Sequence, residues 1–476
     1  MLEQTLDLDV LVATIDRFLD ALSEEEQRPP VDGKTDADQQ PLSPRAALTE
    51  YLNELQPFDL ASVLLALDKP KQLALLTVLP ADSAAEVFGH LDHDHQYQLL
   101  DHLEESVTRA IVAEMPSDSL VDLLGAIHPL QAREILRRLP PEDLGHIRQM
   151  MAYSDESAGG LMTVSYLAAR ANWTAEQVIA HFRKVGHEVE EASYVYVVDR
   201  DGRLVGVVSM REVILAHPAT PVSEIMFTKT ISIPVHADQE EAARLLSQYD
   251  FAALPVADEV GRMVGIITAD DILDVVEEEA TEDIQRLGGT SPIDSPYLKV
   301  PLQELFRKRI VWLVVLLFAG YLTGSIMSHF EDFLSEVIAL AFFIPLLIDA
   351  GGNSGSQAST LVIRAMALGE VTPQHFMKVI WREARLGLLL GVTMGALAFG
   401  RALLLGNAPA LGLTVAVSLA AIVLISSTIG ATLPIIGQKF GADPAVFSAP
   451  LITTIADGVG LLIYFEMARL IMGLGT

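Results

Sequence analysis

The sequence predicts a multidomain membrane protein with three parts: an all-α superhelical N-terminal domain, an α/β pair of repeats, and an α-helical transmembrane domain of five spans. Three observations predict it. Charge is sharply divided: residues 1–305 carry 22 Lys/Arg and 54 Asp/Glu, whereas 306–476 carry ten and nine. Uncharged apolar runs long enough to cross a bilayer lie in the last third. Between these zones stand two lines that match almost position for position, VVDRDGRLVGVVSMREVI and VADEVGRMVGIITADDIL.

Taken in order, residues 1–155 read as short helices in series. Apolar residues recur at helical spacing (Leu60, Val63, Leu64, Leu67; then Leu73, Leu76, Val78), and prolines punctuate them at 70, 80, 116, 129, 140 and 141. Leu-Pro and Met-Pro junctions at 79–80, 115–116 and 139–140 predict stacked helix pairs. Residues 23–44 are polar and proline-containing, which predicts a loop or linker.

Residues 156–276 hold the repeat. Each copy reads as helix, strand, Gly turn, strand, helix. The first has a helix from Thr174, strands Tyr194–Asp199 and Leu204–Ser209, and a helix from Met210. The second has a helix over Asp238–Ser247, strands at Leu254–Val256 and Met263–Thr268, and a helix from Ala269. Both copies carry hydrophobic-Gly-x-x-Ser/Thr-x-x-acid, and the paired module resembles a tandem of CBS domains. Residues 277–309 are the connector, an acidic helix-forming stretch (EEEATEDIQRL) followed by glycines and prolines and ending in Arg307, Lys308 and Arg309.

Residues 310–476 form the membrane domain. Ile310–Ser328 is 19 residues without a charge, enough at ~1.5 Å per residue to cross a ~30 Å core. Further spans are expected at about 337–366, 386–405, 411–437 and 445–471. Basic residues at 307–309 and at Arg364, Lys378, Arg382 and Arg385 mark the inner side, while the 329–336 loop has none. Five spans then place the acidic domains in the cytosol and the carboxyl terminus outside a cell membrane.

Composition excludes much else. A net charge of −31 repels phosphate backbones, so no nucleic-acid partner is expected. With no cysteine, disulfides, thiolate metal sites and Cys nucleophiles are excluded. The start, MLEQTLDLDV, lacks the basic and apolar regions of a secretion signal. Walker A, G-x-S-x-G and H-E-x-x-H motifs are absent, and no G-x-G-x-x-G follows a strand, so an enzyme is not expected.

Chemistry is carried by ionisable groups inside the spans, where each is costly unless solvated or paired. Asp457 stands mid-span in LITTIADGVGLLIYF, with no basic residue nearby in that helix, and Asp349 precedes GGNSGSQ. Asn353, Ser356 and Gln357 add oxygen ligands, and oxygen-only sites suit Mg²⁺ or Ca²⁺ rather than Zn²⁺. Close packing is the alternative for GGNSGSQ, and a structural acid is the alternative for Asp457. Glu466 and Arg469 read as a pair or as snorkelling residues. Because five spans are few for a pore, a symmetric homodimer with the site on its axis is expected.

PLLIDAGGNSGSQASTLVIRAMALGE and DPAVFSAPLITTIADGVGLLIYF resemble the signature stretches of the MgtE magnesium channel family, and the domain order is similar throughout. That resemblance implies a homodimeric Mg²⁺ channel of the bacterial inner membrane, closed by cytosolic Mg²⁺, with Asp457 as pore aspartate and Thr453 offering a carbonyl one turn earlier. It places the glycine–amide motif on Gly351–Gln357, with Ser356 where some relatives have Asn. It implies regulatory Mg²⁺ ligands at Asp238, Asp250, Asp271, Glu279, Glu282 and Asp283, with Asp274 on the same stretch and Asp118 as a bridge partner. Helix 277–287 would act as a plug.

In a continuous connecting helix, Asp271, Asp274 and Glu278 share one face, and Glu279, Glu282 and Asp283 a neighbouring one. Like charges so placed favour a bridging divalent ion, while the alternative is a solvated acidic face. CBS pairs elsewhere bind adenine nucleotides, which makes ATP a candidate ligand. Tyr194 and Phe251 are candidates to flank its base, with core packing as the equal alternative, and Ser209 and Thr268 carry the last motif, with acids Glu212 and Asp271. Two other readings stay open: a membrane-anchored CBS sensor of Mg²⁺ or nucleotide, and a divalent-cation exporter or exchanger. Whether Mn²⁺, Co²⁺ or Ni²⁺ passes is also open.

Overall fold

The computed structural model describes residues 8–26, 43–140, 144–187, 189–293, 297–447 and 449–473. Most of the predicted linker, 27–42, lies outside the described residues, but 23–26 belong to a helix, Leu8–Glu26. Its apolar spacing carries on to Leu22, burying Leu11, Ile15 and Leu19, and the acidic tail Glu24–Glu26 extends the helix without a breaker. The chain divides into two compact units, Met1–Val276 and Glu277–Thr476.

In the first unit, helices of seven to ten residues run from Pro44–Leu52 to Leu144–Met150. The predicted junctions end them because a residue before proline is driven out of the helical region. Leu79, Met115 and Leu139 accordingly have ψ of 142°, 138° and 148°. Side chains repeat a second device. Gln72 donates to the carbonyls of Leu64 and Leu67 (2.9 and 3.0 Å), and Gln96 to those of Phe88 and Leu91 (2.7 and 3.0 Å). Each glutamine thereby satisfies the carbonyls left over where the preceding helix ends.

Each repeat copy folds as a three-stranded sheet: β1 (Tyr166–Ala169), β2 (Glu191–Val198) and β3 (Leu204–Ser209), then β4 (Ile233–Pro234), β5 (Ala253–Ala257) and β6 (Met263–Thr268). The central pairs are antiparallel, as the Gly turns require. Asp199 Oδ1 accepts from Arg203 N at 2.9 Å, and Asp258 Oδ1 from Arg262 N at 2.8 Å. The parallel strands β1 and β4 were not among the sequence expectations. They are short, and their partners lie across a helix rather than a turn. The second copy shares one continuous core with the N-terminal helices through Ile233, Val256, Ile267 and Ile272, whereas the first copy has its own around Val178, Val195 and Val213.

In the second unit, five helices are long and apolar enough to cross a membrane: span 1, Leu302–His329; span 2, Ile338–Ala367; span 3, Pro373–Leu404; span 4, Pro409–Lys439; and span 5, Ala449–Met472. Span 3 begins well before the expected residue 386. Lys378, Arg382, Glu383 and Arg385 break the apolar run, but all four residue types continue a helix. Spans 2, 4 and 5 pack through small residues. A methyl group on Gly430 would lie 2.1 Å from the Gly355 carbonyl oxygen, and one on Gly352 2.2 Å from Thr453 Cγ2. Ser354 and Ser427 share a buried hydroxyl contact of 2.6 Å between spans 2 and 4.

Candidate functional site: two carboxylate centres

The first centre joins three parts of the first unit. Asp118 lies in the first turn of helix Ser117–Ala126, Glu190 just before β2, and Asp271 in the first turn of helix Ala269–Leu287. One carboxylate oxygen of each lies within 4.8 Å of the others. Asp118 is buried, and its Oδ1 has no hydrogen-bond partner among the described residues. Asp271 accepts a hydrogen bond from the Thr268 hydroxyl and is half-buried, while Glu190 stands at the exposed rim.

All three carboxylates are shifted upward. Burial first, then the carboxylates of Glu190 and Asp271, push Asp118 well above the usual carboxylate range. Asp271 is raised by burial, partly offset by its bond from Thr268. Glu190 is raised by the protein atoms around its carboxylate and by Asp271 and Asp270. Three oxygen donors and an unsatisfied buried carboxylate oxygen fit a hard divalent cation. Sequence reasoning named Asp118 and Asp271 but not Glu190. The acidic run Glu188, Glu190, Glu191 was its only signal.

The second centre lies in the membrane unit. Span 5 runs antiparallel to span 2, because Gly352 meets Thr453 while Gly355 meets Ile452. Asp457, half-buried one turn beyond Thr453, therefore comes to the level of Asp349, close enough for the two carboxylates to interact electrostatically. Span 2 has two faces. Leu347, Ala350, Gly351, Ser354, Gly355, Ala358 and Val362 are buried, whereas Asp349, Asn353, Gln357, Thr360 and Arg364 are exposed at spacings of three or four residues. The glycines of GGNSGSQ make the close packing, and its amides stand on the exposed stripe. The close-packing reading thus falls on the glycine face, while the amides of the ligand reading lie exposed on the opposite face. Ser356 donates to the Ala449 carbonyl at 3.3 Å, and the Thr453 hydroxyl donates to the same carbonyl at 2.5 Å.

The other expected ligands are spread out. Asp238 caps helix Gln239–Tyr249, accepting from Glu240 N at 2.9 Å, and Asp250 ends that helix with a left-handed φ of 52°. Asp274 is exposed one turn beyond Asp271 and acts on it electrostatically. Glu279, Glu282 and Asp283 are half-buried on the same helix, which is unbroken from Ala269 to Leu287. Burial and then Glu279 raise Asp283, while Arg286 and Arg364 oppose the shift. Of the nucleotide candidates, Phe251 stacks on Tyr249 at 5.4 Å, and Tyr194 sits opposite Ser209 in the β2–β3 register. Ser209 and Glu212 close a capping box, with Ser209 Oγ donating to Glu212 at 2.9 Å. Glu466 and Arg469 form the expected ion pair at 2.6 Å.

Five apolar helices, a polar stripe with two intramembrane carboxylates and a CBS pair define a multi-pass membrane protein of the cation-transporter class. Comparison with known proteins agrees. A family model described as a divalent cation transporter matches residues 344–467, the MgtE intracellular N domain matches 55–156, and the CBS domain matches 158–218 and 222–278. The chain is 41% identical to the magnesium transporter MgtE of Thermus thermophilus, over 90% of this chain and 95% of that one. It is 35% identical to that of Bacillus subtilis, over 88% and 92%. A crystal structure of the soluble part of a magnesium transporter matches with 28% identity and a TM-score of 0.50, covering 58% of this chain and 100% of that one. The chain belongs to the MgtE family.

Proposed function

We propose that this protein carries Mg²⁺ into a bacterial cell through a path lined by spans 2 and 5 of two copies, and that cytosolic Mg²⁺ closes it. The observation that carries the reading is the exposed stripe Asp349–Asn353–Gln357–Thr360–Arg364 on a spanning helix. Facing lipid, such a stripe would cost several kcal/mol per charged group. Facing a second copy across water, it lines a conduit, and Asp457 with Thr453 supplies the site for a hydrated ion.

In this reading the soluble unit and the connecting helix are inside the cell and the carboxyl terminus outside, which the distribution of basic residues supports. Closure draws on the first centre. A divalent ion bound by Asp118, Glu190 and Asp271 removes the repulsion among three crowded carboxylates, and so favours the arrangement in which they converge. The domains take the limits 1–155, 156–276, 277–309 and 310–476, with Glu279, Glu282 and Asp283 on the plug. Asp238, Asp250 and Asp274 are further regulatory ligands in this reading. An adenine nucleotide such as ATP is a second ligand of the CBS pair, against Tyr194, Ser209, Phe251 and Thr268.

Purified protein in liposomes loaded with a fluorescent Mg²⁺ indicator tests transport and feedback together. Influx is expected at low internal Mg²⁺ and closure as internal Mg²⁺ rises. A protein that passes no Mg²⁺ under any condition overturns the reading. Parallel tracers for Mn²⁺, Co²⁺ and Ni²⁺ measure selectivity.

A further inference from the structure

The connecting helix Ala269–Leu287 holds a single basic residue, Arg286, among its many acids. Its guanidinium reaches two carboxylates at once, pairing with Glu282 one turn back and with Asp443 in the loop between spans 4 and 5. Asp443 has a second task. Its Oδ1 accepts from Ala445 N at 2.8 Å and caps the short 3-10 turn Pro444–Val446. That turn leads directly into span 5.

Beyond it the chain is tied on its other side. Ser359 Oγ of span 2 donates to the Phe447 carbonyl at 3.2 Å, and Ser356 Oγ to the Ala449 carbonyl at 3.3 Å. A second contact comes from the elbow after the connecting helix. Gly289, at φ +72°, lies so close to span 5 and span 1 that a methyl group there would sit 3.2 Å from Pro450 and 2.6 Å from Trp312. The elbow is itself fixed, with Lys308 Nζ donating to the Pro292 carbonyl and Gln285 Oε1 accepting from Ile293 N at 2.7 Å.

We propose that Arg286 is a positioning residue for the ion path: its guanidinium ties the end of the connecting helix to Asp443 and thereby sets where span 5, with Thr453 and Asp457, begins. A planar guanidinium with several fixed donors suits a bridge between two carboxylates. The assignment to the ion path rests on the function proposed above, whereas the tie itself does not.

The chain contains no cysteine, so a single thiol reports cleanly. Ala445 is buried, and Ala445→Cys in the full-length detergent-purified protein is labelled with a water-soluble maleimide. Arg286→Gln is expected to raise the labelling rate about fivefold or more, as the turn opens more often. Raising salt should speed labelling of the parent and leave Arg286→Gln unchanged, since only the parent has an ion pair to screen. A rate within about twofold of the parent, or the same salt response in both proteins, overturns the proposal. If Arg286→Gln fails to fold, Asp443→Asn carries the test: it keeps the oxygen that caps the turn but loses the charge, so its rate should exceed the parent's and ignore salt, and a parent-like rate with a parent-like salt response overturns the tie. Mg²⁺ influx by the parent is read in parallel. A silent parent removes the ion-path reading and leaves the labelling to decide the tie.

Discussion

The two carboxylate centres use the same side chains toward opposite ends. In the first unit, Asp118, Glu190 and Asp271 converge within 4.8 Å inside one chain. That crowds three carboxylates together around one that is buried. In the membrane unit, Asp349 is exposed and Asp457 half-buried, with uncharged oxygens from Asn353, Gln357 and Thr360 spread along a helix. Such a row offers its oxygens one after another along the helix instead of at one point. One set of acids converges within a single chain, and the other is spread along a helix face.

The largest expected effect separates passage from holding. Asp457→Asn should lower Mg²⁺ influx into liposomes by about a hundredfold or more, since it removes the intramembrane charge that recruits the ion. It should leave Mg²⁺-dependent protection of the soluble region from protease unchanged. Influx within tenfold of the parent would break the distinction.

Next comes the holding site. Asp118→Asn should raise the Mg²⁺ concentration for half-maximal protease protection about tenfold, roughly 1.4 kcal/mol of binding. Glu212→Gln, at the equivalent of Asp271 in the first repeat copy, should leave that concentration unchanged. Equal shifts from both would mean that protection reports general acidity rather than this cluster.

The smallest effect is on stability without metal. Acids raised in the folded state contribute stability that is full below their unfolded values, near 4, and is lost as pH rises through the folded ones. In chelator, the full-length protein should therefore melt lower at pH 7.5 than at pH 5, by on the order of 2–4 °C for the soluble transition. Asp118→Asn should flatten that slope, and Mg²⁺ at pH 7.5 should restore the loss. A soluble transition that ignores pH in chelator would show that the three carboxylates are not crowded in solution.

Much of this was legible in the sequence, for identifiable reasons. The five spans follow from apolar length, and the helix pairs from proline junctions that force the preceding residue to extend. The repeat follows from two Gly turns and two matching acids. Those acids also mark where legibility stops. Glu212 and Asp271 occupy the same position after the same strand, and each bonds the hydroxyl of its Ser209 or Thr268 partner. Yet Glu212 is exposed, and Asp271 faces Asp118 and Glu190. Glu190 lacked any spacing that tied it to the other two, and the distant partner of Arg286, Asp443, is set by packing.

The sequence by itself determined what is local or periodic: the order of the parts, the spans, the turns, the caps, and the presence of an intramembrane carboxylate. Only the tertiary structure decided which acids meet. Helical and strand periods fix a side chain's neighbours within a few residues, whereas the approach of Asp118, Glu190 and Asp271 depends on a core shared between the N-terminal helices and the second repeat copy. The two faces of span 2 were settled in the same way, by glycines that let spans 4 and 5 come close on one side and so left the amides and Asp349 on the other.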